Sequence, residues 1–189
     1  MKSRLKNLYK YLIENRKHEV KGWHDAYREF YGQVGQIRER IQAGESISQS
    51  DEAFLKQLLY EKSNGIASRG QSVLSNENFL SFIKDKDFIS SLEQFILTPT
   101  KDAFRKFEDA WSAQGKSNNP VLVNRVAAAC TLEVSTTVDS GKFNQVFSWL
   151  IREGIVPTYP AEKDQDWFSK NLFLLKIIKD EFSDELQDK

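Results

Sequence analysis

The sequence predicts a mainly α protein, a single globular domain of eight or nine helices joined by short loops. Apolar residues recur along most of the chain at helical spacings. Only 4 of the 189 residues are proline, and a hydrophobic fraction of 40% with 13 Phe, 4 Trp and 6 Tyr is enough for a core. No stretch of useful length alternates apolar and polar residues, as a half-buried strand would.

Residues 1–44 are predicted to form a helical pair that packs on a helical core formed by residues 45–189. Residues 3–17 carry one apolar stripe and residues 22–42 carry a second, which Gly44 ends. The first stripe is Leu5, Leu8, Tyr9, Leu12 and Ile13, and the second is Trp23, Tyr27, Phe30, Tyr31, Val34, Ile37 and Ile41. The aromatic residues of the second stripe are predicted to belong to the core, with a ligand-lining role as the alternative.

A polar connector over residues 45–50 leads to a predicted helix over 51–62, and Ser48 and Asp51 have the spacing of a capping box. The longest loop-like segment follows, residues 63–75, called here the glycine loop. A polar loop punctuated by glycine and held between apolar helices commonly presents a binding surface. The glycine loop is therefore the first candidate site.

Three helices are predicted between the glycine loop and residue 113. The first is capped by Ser75 or Asn76 and the second by Asp85 or Asp87. Thr98-Pro99 ends the second and begins the third, with Pro99 in the first turn. Their apolar faces are Phe79, Phe82 and Ile83, then Phe88, Ile89, Leu92, Phe95 and Ile96, then Phe104, Phe107, Ala110 and Trp111.

The last third of the chain is predicted to hold three more helices. Residues 121–131 are small and apolar and predict a tightly packed buried helix, and residues 134–138 predict a connector. Asp139 or Ser140 caps a helix that ends before Gly154. The final helix runs from about 164 to 182. The residues predicted to face inward on the helix after Asp139 are Phe143, Val146, Phe147, Leu150 and Ile151. Those of the final helix are Trp167, Phe168, Leu172, Leu175, Ile178 and Phe182.

The composition argues against several classes of protein. The formal charge is zero, which disfavours a globally basic nucleic-acid binder, although residues 1–40 hold 10 Lys and Arg against 5 Asp and Glu. That basic surplus is interpreted as a solvated helix face, with a phosphate-facing or partner-facing surface as the alternative. The sequence shows no signal-peptide pattern and no apolar run of membrane-spanning length, so a cytoplasmic protein without membrane contact is predicted.

The sequence contains no convincing catalytic or metal-binding motif, and no enzyme activity, metal or cofactor is predicted. Residues 65–72 approach the spacing of a phosphate-binding loop, but Gln71 stands where the lysine that contacts the phosphates belongs. His18 and His24 are separated by a presumed break at Gly22, and the single cysteine, Cys130, follows three alanines. Cys130 is predicted to be a small buried residue.

A helix-turn-helix is a further possibility over residues 121–131 and 139–153, with a wing beginning at Gly154. The second helix would then present Lys142, Asn144, Gln145 and Arg152, whose side chains are able to read base edges. Because the connector between the two helices is longer than the usual turn, simple helical packing is the favoured interpretation.

Two stretches resemble a known family. They are Leu58 to Ser75, and Asn124-Arg-Val-Ala-Ala-Ala-Cys followed by Ser135-Thr-Thr-Val and Phe143 to Leu150. Together with Trp167 and Asn171-Leu-Phe-Leu, they resemble the helical N-terminal region of McrB-type restriction GTPases, which precedes an AAA+ motor. The resemblance implies a DNA-recognition module of a modification-dependent, phage-defence restriction system, whose partners are the motor or nuclease subunits. The chain itself has neither the Walker lysine nor the motor.

The function predicted from this resemblance is a non-catalytic recognition module that binds DNA. The candidate nucleic-acid-binding residues are Lys62, Asn64, Arg69, Gln71, Asn124, Arg125, Thr136, Thr137 and Lys142. Taken singly, each is more simply explained structurally, with the two asparagines capping loops and Arg125 pairing with a carboxylate. The alternative function is a helical protein-interaction or regulatory domain without nucleic-acid contact. A basic patch uniting Arg69, Arg125 and Lys142 would favour DNA, whereas internal pairing of these residues would favour the alternative.

Overall fold

The computed structural model describes residues 6–7, 10–11, 14–115 and 119–181. Within them, eight α-helices have defined bounds, and the predicted mainly α class is confirmed. They are α1 (Lys17–Gln42), α2 (Glu52–Leu55, continued by a π turn over Lys56–Tyr60), α3 (Asn76–Lys84), α4 (Lys86–Leu97), α5 (Lys101–Ala113), α6 (Pro120–Cys130), α7 (Ser140–Arg152) and α8 (Trp167–Glu181). The stripe predicted for residues 3–17, and Phe182, lie outside the described residues. None of the helices described is long and apolar enough to cross a bilayer.

Helices α3 to α7 each begin after a residue whose side chain accepts a hydrogen bond from the amide three residues further on. Ser75 caps α3 at 3.1 Å, Asp85 caps α4 at 2.8 Å and Asp139 caps α7 at 2.9 Å, as predicted. The predicted start of α5 was wrong. Its cap is Thr100, at 3.3 Å, and Pro99 precedes the helix instead of lying in its first turn. A short polar side chain at the cap satisfies an amide that the helix leaves unpaired, and Thr100 supplies one where Pro99 cannot.

Aromatic rings of α3, α4, α5 and α8 fill one half of the core. Phe82 packs edge-on against Trp111 with ring centroids 4.8 Å apart, and Phe104 stacks on Phe168 at 4.6 Å. α6 occupies the other half, where every residue from 122 to 130 is buried. The small side chains predicted for this helix explain its position, because alanine lets neighbouring helices approach closely.

α1 differs from its prediction at its N-terminal end. The helix begins at Lys17, and Gly22, predicted as a break, lies inside it with no atom near the position of a Cβ. Glycine in an exposed helix interior costs only about 1 kcal/mol, which neighbouring turns offset. The C-terminal half of the apolar stripe is buried as predicted, at Phe30, Val34 and Ile37.

α2 also ends differently from the prediction. The helix predicted over 51–62 is α-helical only to Leu55 and then widens into the π turn. The amide of Glu61 donates to the carbonyl of Lys56 at 2.9 Å, five residues back, and closes this turn. Such turns hold one extra residue and are often found at functional sites. This one leads directly into the glycine loop.

Candidate functional site

The glycine loop is closed on itself by backbone and side-chain hydrogen bonds. Ser63 and Ser68 form an antiparallel bridge, and the amide of Arg69 donates to the carbonyl of Lys62 at 3.0 Å. Inside this turn, the Asn64 side-chain oxygen accepts from the amides two and three residues on, at 3.1 and 3.0 Å. An asparagine side chain commonly shapes a turn in this way. The loop is therefore a defined structure that holds Ile66 and Ala67 in fixed positions.

Gly65 brings the glycine loop into direct contact with α1. Its φ of +81° lies in the left-handed region, which glycine adopts without steric cost. A Cβ on this residue would lie only 2.6 Å from the carbonyl oxygen of Ala26. Only glycine combines this backbone conformation with so close an approach to the helix. The glycine predicted to punctuate the loop is thus a contact point between two elements.

A groove of about 500 Å³ lies between the first half of α1 and the glycine loop. We call it the α1 groove. Its apolar lining residues are Val20, Trp23, Tyr27, Ile66 and Ala67. Its polar lining residues are His24, Ser63, Ser68 and Thr136. Among the described residues that line it there is no lysine, arginine or carboxylate, so its surface is largely apolar and carries little charge.

Trp23 is the most exposed large apolar residue described, with 69% of its surface accessible. The prediction that places it in the core is wrong. Its neighbour on the same stripe, Tyr27, is half-buried and anchors α1 by donating its hydroxyl to the carbonyl of Ala128 on α6, at 3.2 Å. Burial raises the pKa of Tyr27 to about 12. The packed face of α1 therefore starts after Trp23, and the exposed Trp23 ring is free to contact another molecule.

Three of the predicted nucleic-acid-binding residues are buried and bonded within the protein. Asn64 shapes the glycine loop, and Asn124 donates to the carbonyl of Val138 at 2.8 Å and to the Ser140 hydroxyl at 3.1 Å. Arg125 is fully buried and donates to backbone carbonyls at the end of the π turn. Its expected carboxylate partner is replaced by these carbonyls. The structural explanation of the two asparagines agrees with their contacts.

The remaining predicted residues lie at or near the surface. Arg69 is half-buried, donates to the carbonyl of Ser72 at 3.0 Å and lies over the Tyr60 ring, 5.9 Å from its centroid. The exposed residues are Lys62, Gln71, Thr136, Thr137 and Lys142. The groove contains Thr136 but neither lysine. Since Arg125 is bonded internally and Arg69 is partly so, Arg69, Arg125 and Lys142 do not form one accessible basic patch.

The possible helix-turn-helix corresponds to α6 and α7. Lys142, Asn144, Gln145 and Arg152 are exposed on α7, although Asn144 accepts a hydrogen bond from Lys170 at 3.0 Å. Val146, predicted to be inward, lies on the same exposed face and is 51% accessible. The chain after Gly154 contains no strand within the part described, so a β-wing is absent there. Simple packing of α6 in the core accounts for this helix pair.

Cys130 is expected to be chemically inert in the folded protein. Its side chain is fully buried, and burial raises the pKa of the thiol to about 12. Because the thiolate is the reactive species, a disulfide reagent should react only on the time scale of unfolding. This expectation is tested by following the reaction in buffer and in denaturant. Rapid reaction of one equivalent of thiol in the native protein would contradict it.

No group of three or more His, Cys, Asp or Glu is arranged to hold a metal ion among the residues described. His24 faces the α1 groove, whereas His18 does not line it. His24 was not among the predicted site residues, and the position of Trp23 in the groove fits only the alternative, ligand-lining role given for the aromatic stripe. Helical spacing carries no signal for either position, because it shows which residues share a face and not how far the partner of that face extends.

Comparison of the chain with protein-family models, with curated proteins and with solved structures finds no match.

Proposed function

We propose that the chain is a non-catalytic binding module that takes a segment of a partner protein into the α1 groove. The observation that carries this proposal is the exposure of Trp23 on the wall of a groove whose described lining residues include no lysine or arginine. The centres of protein interfaces are enriched in tryptophan and tyrosine and depleted in charged side chains. A phosphate backbone, in contrast, is held by lysine and arginine.

The expected occupant is a segment that carries an apolar side chain. The groove volume of about 500 Å³ has room for such a side chain. Trp23 and Ile66 form apolar walls. The hydroxyls of Ser63, Ser68 and Thr136 can form hydrogen bonds with the backbone of the segment. A partly apolar groove with a polar rim is the usual form of a peptide-binding site.

Replacing Trp23 with alanine is expected to weaken binding of groove ligands by about tenfold or more, because exposed tryptophans at interfaces often dominate the binding energy. The probe is a random-peptide display library selected on the wild-type protein, followed by anisotropy titration of the enriched peptides. The matched control is Trp149→Ala, which removes the same side chain from α7, where Trp149 is 36% exposed and does not line the groove. Equal affinity of the enriched peptides for Trp23→Ala and wild type would contradict the proposal, as would failure to enrich any peptide.

DNA recognition, which the family resemblance implies, is the competing outcome of the same test. Unmodified and cytosine-modified duplexes are titrated at about 50 and 200 mM salt, since phosphate contacts weaken strongly with salt. Salt-sensitive binding that falls in Lys62→Ala or Lys142→Ala and is unchanged in Trp23→Ala would replace protein recognition with DNA recognition. A role in a restriction or phage-defence system stays a prediction that depends on this result.

A further inference from the structure

Arg125 has an unusual environment for an arginine. It is fully buried, and all of its hydrogen bonds go to backbone carbonyl oxygens. Nε and Nη2 donate to the carbonyl of Leu58 at 3.2 and 2.8 Å, and Nη1 donates to that of Glu61 at 2.6 Å. A longer bond of 3.4 Å reaches the carbonyl of Gln57. Burial and the neighbouring Arg69 lower the pKa of Arg125 to about 10, so the guanidinium is charged at neutral pH.

The carbonyls that accept these bonds belong to the end of the π turn. The last carbonyls of any helix lack partners within the helix, and they form its negative end. Arg125 satisfies them from α6, across the core, with a planar group that has five donors. A buried cation is costly unless its donors are satisfied, and here the charge is held by dipoles rather than by a carboxylate. Arg125 and the π turn therefore stabilise each other.

The end of the π turn is also the start of the glycine loop. The carbonyl of Glu61 accepts from Arg125, and the next carbonyl, of Lys62, accepts from the amide that closes the loop. Two residues later Asn64 fixes the amides of Ile66 and Ala67, which line the α1 groove. A shift of the π turn by one residue would move this whole series of contacts.

We infer that Arg125 is a positioning residue for the α1 groove: it holds the end of the π turn and, through it, the loop that forms one wall of the groove. It does not line the groove itself. The inference rests on the proposed function only where ligand binding is the readout, because the geometry of the loop can be measured without any ligand.

The test compares Arg125→Met with Arg38→Met. Arg38 is a matched control, since it also donates to backbone carbonyls, those of Ile96 at 2.7 Å and Cys130 at 2.6 Å, at the ends of α4 and α6. Amide hydrogen exchange is followed by NMR at Ile66 and Ala67, and exchange of core amides in α5, to which neither arginine donates, corrects for global stability. Arg125→Met should accelerate exchange of the two loop amides at least about tenfold more than Arg38→Met, as expected from losing bonds to a charged donor. Equal acceleration in both variants would overturn the inference.

A second measurement keeps the inference testable if Arg125→Met does not fold. In the wild-type protein, the amides of Glu61, Ile66 and Ala67 should open as one unit under increasing denaturant. Loop amides that exchange freely while the Glu61 amide stays protected would overturn the inference. Arg125→Lys, which keeps the charge, should fall between wild type and Arg125→Met. If Arg125→Met accelerates exchange of the loop amides as expected but no peptide binds the wild-type protein, the proposed function is rejected and the positioning role of Arg125 is retained.

Discussion

Replacing Gly65 with alanine is expected to lower the free energy of unfolding by about 2–4 kcal/mol. The new side chain would have to adopt a φ of +81° and would place its Cβ 2.6 Å from the Ala26 carbonyl oxygen. That oxygen belongs to the backbone of α1, so relief requires the loop to move away from the helix. Urea unfolding followed by circular dichroism measures the effect. Because the groove lies along this contact, peptide binding should fall as well.

Gly70→Ala is the matched control for this experiment. Gly70 also has a left-handed backbone, with φ of +58°, but no atom lies within 4 Å of the Cβ position. Its replacement is expected to cost only the conformational penalty of about 1 kcal/mol. The difference between the two variants then reports the contact with α1. Equal losses of stability would show that the close approach of Gly65 contributes nothing.

Phe88→Ala is expected to destabilise the protein by about 3–5 kcal/mol, the usual cost of truncating a buried phenylalanine. Phe88 is fully buried on α4, and its ring centroid lies 4.9 Å from that of Phe82 and 5.7 Å from that of Phe107. The surrounding rings come from α3 and α5, so the cavity cannot close without moving one of these helices. Equilibrium denaturation, with the m-value compared with wild type, measures the loss.

Trp23→Ala controls for the general effect of removing an aromatic ring. Its side chain is 69% exposed, and its loss should change the free energy of unfolding by no more than about 0.5 kcal/mol. A large loss of stability in this variant would show that the ring packs on the protein in solution. The proposal that Trp23 forms an exposed wall of the α1 groove would then be wrong. Wild-type stability in Phe88→Ala would contradict the aromatic core.

Local sequence features predicted the helices and most of their boundaries well. Ser75, Asp85 and Asp139 each cap the helix that follows them, because a cap and its amide partner are only three residues apart. The five apolar residues of α4 that were predicted to face inward are all buried. Boundaries failed at Pro99 and Thr100, where two starts were locally similar, and also at the start of α1 and at the π turn that ends α2.

The candidate site was predicted only in part. The glycine loop is one wall of the groove, as its glycines and polar residues suggested. The other wall, with Trp23, was assigned to the core, because helical spacing tells which residues share a face but not how far the partner of that face extends. Asn64 and Asn124 have the residue type of ligand contacts, yet their hydrogen bonds go to the protein's own loops.

By itself, the sequence determined the helical class, the caps, the apolar faces and the place of the glycine loop, since each depends on residues within a few positions of one another. Tertiary structure alone decided the groove and the role of Arg125. Arg125 meets the carbonyl of Leu58 across 67 positions of the chain, and Gly65 meets α1 at Ala26. Contacts between distant segments depend on how whole helices pack, and packing is a property of the assembled core rather than of any one stretch.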